Sequence, residues 1–273
     1  MNLFDSHTHT RVSPDSKASL TEMAQAAIAA GVHTLHVTDH CDLLDYDGHP
    51  VVSFDWPAAK AQYHAVKAQT EGRLALHLGI ELGSITFTPE VARRIIAEGG
   101  EDLDFVLGSS HNWIGAHDNR EMYFFDFSIP GLAREAVAAY LAQARELAYR
   151  YPDCYDSLAH IVYPLRYIRR DGQDLSLDDY EDEIRDIFTR IAATDHALEF
   201  NTYQGKDLAF WLPLLRRFKE CGGRFVTLGS DAHRPEDMAK GIPEAMELLR
   251  AAGFDCVTTF VRRQPVEHHI EAK

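Results

Sequence analysis

Short apolar runs recur along this chain, and each ends in residues able to hold a metal ion. The endings are His7-Thr8-His9, Asp39-His40, Glu81, His111, His160, Glu199-Phe200-Asn201 and Asp231-Ala232-His233. In an extended strand, residues i and i+2 share a face, so His7 and His9 project together. Helix-like segments separate the runs, and alternating strands and helices imply a mainly parallel sheet. A closed barrel gathers all its strand C-termini at one face, where residues over 200 positions apart can meet. An open sheet would spread the same groups along a line. The pattern therefore favours closure, with one polynuclear metal centre at the mouth.

The element boundaries read as follows. Leu3 to Ser6 is the first strand. Ser19-Leu20-Thr21-Glu22 has the capping-box spacing and opens an Ala-rich helix ending at Gly31. Strands are expected at Val32–Thr38, Leu74–Ile80, Phe105–Ser109, Ser157–Ile161, Ala197–Phe200 and Arg224–Leu228, with a final one at Cys256–Val261. Helices are expected near Pro57–Thr70, after Thr88-Pro89, and over Gly131–Tyr151. The aromatic-rich stretch from Asn112 to Pro130 lacks helical period and reads as a lid or specificity loop. The acidic run Asp178 to Asp186 reads as a solvated helix face. With no linker or composition break, residues 1–273 are expected to form a single domain.

A formal charge of −15 argues against a nucleic-acid-binding surface, which needs clustered Lys and Arg. The 4 cysteines are scattered without a Cys-x-x-Cys pair, which indicates neither a disulfide framework nor a thiolate zinc site. No apolar stretch approaches the roughly 20 residues that span a bilayer. No signal-peptide pattern opens the chain, so a cytoplasmic protein without membrane attachment is expected.

The candidate metal-binding set is His7, His9, Asp15, His40, Glu81, His111, His160, Asp231 and His233. Mixed imidazole and carboxylate ligation suits Zn, Mn or Fe. One cation with four ligands cannot use so many groups, whereas three cations sharing a bridging carboxylate can. Paired cations generate a nucleophile from water and clamp phosphoryl oxygens, which is what phosphoester hydrolysis at neutral pH requires. The remaining histidines are read as structural or surface groups: His33, His36 and His77 within strands, His64 on a helix, His196 before a strand, His49 and His117 in loops, and His268-His269 near the tail.

His7-Thr8-His9, Thr38-Asp39-His40, Gly79-Ile80-Glu81, Gly108-Ser109-Ser110-His111, Ala159-His160 and Gly229-Ser230-Asp231-Ala232-His233 resemble, in order, the motif series of the PHP (polymerase and histidinol phosphatase) superfamily. The length and the Leu198 to Thr202 stretch are most similar to its stand-alone histidinol-phosphatase branch. The resemblance implies a distorted (β/α)7 barrel with a trinuclear site at the strand C-termini, hydrolysing L-histidinol phosphate to L-histidinol and phosphate in histidine biosynthesis. Carried over, it assigns His7, His9, Glu81 and Asp231 to the first metal. Glu81 bridges to a second with His111 and His160, and Asp15, His40 and His233 hold a third. It names Asp231, His233 and Arg166 as catalytic, and Arg166 and Asn201 as substrate contacts. Val162 and Tyr203-Gln204-Gly205-Lys206 depart from the family pattern, which leaves another small phosphate ester, such as a nucleotide or cyclic phosphate, as the alternative substrate. A PHP module kept only for binding or for polymerase support would lack ligands that this chain retains.

Overall fold

A computed structural model describes residues 2–206, 208 and 210–270. Seven strands form one parallel sheet in sequence order: β1 (Leu3–Asp5), β2 (Val32–Asp42), β3 (Ala75–Gly83), β4 (Leu103–Ser109), β5 (Ser157–Leu158), β6 (Ala197–Asn201) and β7 (Val226–Gly229). The first and last strands meet. Ser6 N donates to Leu228 O at 2.7 Å, Asp231 N donates to His7 O at 2.9 Å, and His9 N donates to Ala232 O at 2.9 Å. Asp5 ties this seam from inside, accepting from Ser230 N (2.9 Å), Ser230 Oγ (2.6 Å) and Ala239 N (3.1 Å). The result is a nearly closed seven-stranded barrel, as expected.

Among the described residues eight helices cover it: α1 (Leu20–Ala30), α2 (Trp56–Thr70), α3 (Pro89–Gly99), α4 (Leu132–Arg150), α5 (Tyr163–Arg170), α6 (Glu181–Ala193), α7 (Trp211–Glu220) and α8 (Ile242–Ala251). The capping box of α1 forms as its spacing implies, with Glu22 N donating to Ser19 Oγ and the Glu22 carboxylate accepting from Ser19 N. Gly31 closes that helix at φ 78°, a left-handed conformation open to glycine without strain. The acidic run lies over a short 3-10 turn and the start of α6, where Asp178 and Glu181 pair with Arg217.

Several boundaries differ from expectation, and those of β2, β3 and β5 shape the site. β2 and β3 run past Thr38 and Ile80, because pairing of His40 with Glu81, Cys41 with Leu82 and Asp42 with Gly83 continues the ladder through the site residues. β5 stops at Leu158 instead of Ile161, because His160 N turns away from the ladder to donate to the Glu199 carboxylate at 2.7 Å. Cys256–Val261 is a strand (β8), but it pairs antiparallel with β9 (Gln264–His269) outside the barrel sheet.

This hairpin closes the N-terminal end of the barrel. Phe260 stacks on Phe105 at 5.0 Å and joins Leu107, Ala159, Ala197 and Phe225 in an apolar plug. Arg262 N donates to Asp104 Oδ1 at 2.8 Å, and the Arg263 guanidinium reaches Asp156 at 3.0 Å. The opposite end stays open.

Candidate metal and phosphate site

The open end holds a cavity of about 820 Å³, lined by residues from several strand ends and from the 112–130 loop. Glu81, fully buried on β3, stands at its floor. The two carboxylate oxygens of Glu81 face different imidazoles. Oε1 lies 3.0 Å from His111 Nε2 and 2.8 Å from His160 Nε2. Oε2 lies 2.9 Å from His40 Nδ1, 3.3 Å from His7 Nε2 and 3.7 Å from His9 Nε2. Asp231 adds a second carboxylate, with Oδ1 at 3.4 Å from His9 Nε2 and 3.7 Å from both His7 and His233. Asp15 completes the group, its Oδ2 at 3.0 Å from His233 Nε2 and 3.6 Å from His40 Nε2. All nine expected ligands therefore meet in one cluster, seven of them lining the cavity.

The donor atoms test whether cations fit there. His7 Nε2, His9 Nε2, His40 Nδ1, His233 Nε2 and Glu81 Oε2 are buried and form no well-directed hydrogen bond, although His40 Nδ1 with Glu81 Oε2 and His233 Nε2 with Asp15 Oδ2 lie at ion-pair distance. Each such buried orphan costs about 1–3 kcal/mol, and buried polar atoms are seldom left so. Three overlapping triads bring donor atoms within 4.8 Å of one another: His9 with His40 and His233, His7 with His9 and Glu81, and His40 with Glu81 and His111. The residues suit divalent transition cations. Burial alone would raise the Glu81 carboxyl, but His111, His7 and His40 outweigh it and hold it well below the usual range, so an anion faces the imidazoles.

Residues behind the ligands aim them. His7 Nδ1 donates to Glu199 Oε1 at 2.5 Å, which leaves Nε2 as the lone-pair nitrogen facing the pocket. His111 Nδ1 donates to Asp42 Oδ1 at 2.8 Å, and His9 Nδ1 to Ser13 Oγ at 3.1 Å. Ser13 Oγ in turn donates to buried Asp39 at 2.8 Å. His233 Nδ1 donates to the Asp231 carbonyl at 3.0 Å. Sequence reading marked Glu199 and Asp39 as strand-end residues without a task and passed over Asp42 and Ser13. Alternation along β2, which places His40 and Asp42 on one face, was the signal available. Gly229 allows the tight seam here, since a Cβ would sit 2.4 Å from His7 Cβ and 2.5 Å from Glu199 Oε1.

Arg166, on α5, is buried beside this cluster. Nη1 donates to Asp231 Oδ2 at 3.0 Å and Nη2 to Asn201 Oδ1 at 2.7 Å, while Nε has no partner. Asn201, expected to touch substrate, is fully buried behind Arg166, and its Nδ2 donates to Glu199 and Asp231. It braces the site and does not line the cavity. The 112–130 loop forms one wall through Asn112, Glu121, Tyr123 and Phe124. Glu121, missed in sequence, is half-buried there and accepts from Tyr163 Oη at 3.0 Å. His49 is exposed and pairs with Asp45, and His117 packs on Trp113, so neither joins the cluster.

A PHP-domain family model matches residues 5–203. The chain belongs to the PHP family. It is 27% identical over 266 residues to a histidinol-phosphatase of Lactococcus lactis, an alignment covering 95% of each chain. It is 30% identical to a probable histidinol-phosphatase of Deinococcus radiodurans, covering 94% of this chain and 96% of that one. Among solved structures, the Lactococcus lactis histidinol phosphate phosphatase, complexed with zinc, L-histidinol and phosphate, superposes with a TM-score of 0.85 at 26% identity. That match covers 97% of this PHP chain and 99% of the other.

Proposed function

We propose that this PHP protein is a metal-dependent phosphomonoesterase that hydrolyses L-histidinol phosphate to L-histidinol and phosphate, within one barrel domain spanning 1–273. One observation carries the reading: nitrogens of five imidazoles converge on the two oxygens of Glu81, in a chain aligned nearly end to end with a histidinol-phosphatase. His7, His9, Glu81 and Asp231 would hold one cation, Glu81, His111 and His160 a second, and Asp15, His40 and His233 a third. Zn, Mn and Fe all suit this donor set. When bound, such cations supply a hydroxide at neutral pH and positive charge against the phosphoryl oxygens.

The chain's own residues do the rest. Arg166 offers a planar, permanently charged donor to the phosphate, and Asp231 fixes its orientation while presenting Oδ1 to the imidazoles. Asp231, His233 and Arg166 form the catalytic set in this reading, with Arg166 contributing through its grip on the phosphate. Asn201 acts through Arg166 and Asp231 instead of touching substrate. Tyr46 and Phe124, 6.0 Å apart at the rim, offer aromatic faces to the substrate's imidazole. Glu121 offers a counter-charge for its ammonium. Among the described residues no helix is long and apolar enough to cross a membrane. Placement in the cytoplasm and the absence of a nucleic-acid partner belong to the proposal.

The test is a substrate panel run on protein stripped by chelator and reloaded with Zn, Mn or Fe. Stripped protein should be inactive, and reloaded protein should favour L-histidinol phosphate over nucleotides and cyclic phosphates by about 100-fold or more in kcat/KM. Equal turnover of nucleotides would shift the assignment to the alternative substrate. Full activity without metal would end it.

A further inference from the structure

The segment after β6 departs from the family pattern in sequence, and it also departs from ordinary backbone geometry. Tyr203, Gln204 and Gly205 lie at φ 46°, 57° and 80°, three left-handed residues in succession. A tyrosine in that region is a genuine outlier, and such strain persists only where its surroundings enforce it. Here they do. Tyr203 N donates to Asn201 Oδ1 at 2.8 Å, Gln204 N to Ser230 O at 2.9 Å, Gly205 N to Thr202 O at 2.9 Å, and Gln204 Nε2 to Asp231 O at 3.3 Å.

The turn delivers the Tyr203 ring to Arg166. The guanidinium carbon lies 4.1 Å from the ring centroid, closer than its 5.5 Å to Tyr163. Lys206 Nζ approaches the same ring at 4.6 Å. Asn201 Oδ1 accepts from both Tyr203 N and Arg166 Nη2, so ring and backbone hold Arg166 together. Both Tyr203 and Arg166 line the cavity. A buried cation over an aromatic face is stabilised because the ring replaces water that burial removed.

We propose that Tyr203 is a positioning residue that fixes the Arg166 guanidinium for the phosphate of the substrate. This rests on the reading of Arg166 as the phosphate-gripping residue. Tyr203 sets affinity for the phosphoryl group and leaves the bond-breaking step to the groups around Glu81. It acts through its aromatic face, so its hydroxyl is dispensable.

The experiment measures kcat and KM on metal-loaded enzyme for Tyr203→Phe, Tyr203→Leu and Tyr203→Asn, alone and combined with Arg166→Met. Isothermal titration with inorganic phosphate and with L-histidinol, plus thermal melts, accompany the kinetics. Tyr203→Phe should stay within about 2-fold of wild type. Tyr203→Leu and Tyr203→Asn should raise KM and weaken phosphate binding by about 5- to 20-fold, with kcat within about 3-fold and L-histidinol binding unchanged. Tyr203→Asn should melt no lower than wild type, because Asn tolerates the left-handed region. In the Arg166→Met background, the Tyr203 substitutions should add nothing. Additive losses, equal losses for phosphate and L-histidinol, or kcat and melting temperature falling together would overturn the proposal. So would unchanged phosphate binding in Tyr203→Leu when Arg166→Met weakens it. Unchanged phosphate binding in Arg166→Met would instead refute the grip assigned to Arg166, and Tyr203 would fall with it.

Discussion

The two ends of the barrel handle the same residue types in opposite ways. Strand β2 carries His36 toward the base and His40 at the mouth, and β3 carries His77 and then Glu81. At the base the polar groups find partners within the chain: His36 Nε2 donates to Phe260 O at 2.8 Å and His77 Nδ1 donates to Asp104 at 2.8 Å. At the mouth, four imidazole nitrogens and a carboxylate oxygen form no well-directed hydrogen bond and crowd together around Glu81 and Asp15. A histidine on a strand is therefore not a ligand by virtue of its position alone. What separates the two is whether the fold supplies a partner for the second ring nitrogen or reserves that nitrogen for something absent from the chain.

Substitutions at the two ends should separate activity from stability. The largest effect belongs to Glu81→Ala, which removes the carboxylate shared by both imidazole sets. Turnover should drop by about 10³-fold or more, and metal analysis should find less than the full complement, while the chelated protein keeps its fold. Retained turnover with full metal would break the contrast between the ends. Glu199→Ala should come next. It removes the acceptor that aims His7, so metal affinity should weaken about 10- to 100-fold in a competition assay with a chromogenic chelator.

At the base, Arg263→Ala strands Asp156, whose carboxyl burial already pushes up to about 6 despite the nearby arginine. Urea unfolding should show a loss of about 3 kcal/mol, with kcat/KM unchanged under native conditions. A loss of activity without a loss of stability would mean that the hairpin reaches the chemistry.

The smallest effect concerns acid. Burial, aided by His77, pushes the His36 imidazole down to about 3. The unfolded chain takes up a proton near the ordinary histidine value, about 6.5, that the folded chain refuses until far lower pH. His36 therefore contributes stability above that value and loses it as pH falls toward 3. In metal-free protein, His36→Gln should flatten the decline in stability between about pH 6.5 and 4.5, at most by about 1.4 kcal/mol per pH unit. An unchanged slope would show that His36 does not titrate this way.

Much of the mouth was legible because metal-ligand chemistry limits residue type and strand geometry limits spacing. His7 with His9 and Asp231 with His233 are each two apart, and each of the nine candidates reached the same cluster. Less legible were the residues that aim them. Glu199 and Asp42 are ordinary carboxylates in sequence, and only the approach of β6 to β1 and of β2 to β4 makes them acceptors for His7 and His111. Asn201 was read as a substrate contact, but its amide is used up behind Arg166. The basal hairpin was half legible: its first strand was expected, its role was not, because β1 and β7 close the sheet and residues 264–269 supply an antiparallel partner outside it.

The sequence alone determined which side chains were available for chemistry and that alternating strands would carry them, since periodicity and ligand type are local properties of the chain. Tertiary structure decided which nitrogens stay unpaired, which carboxylates orient them, and how a strained turn sets Tyr203 against Arg166. Those outcomes depend on distances between segments more than 200 residues apart, and such distances exist only once the barrel has closed.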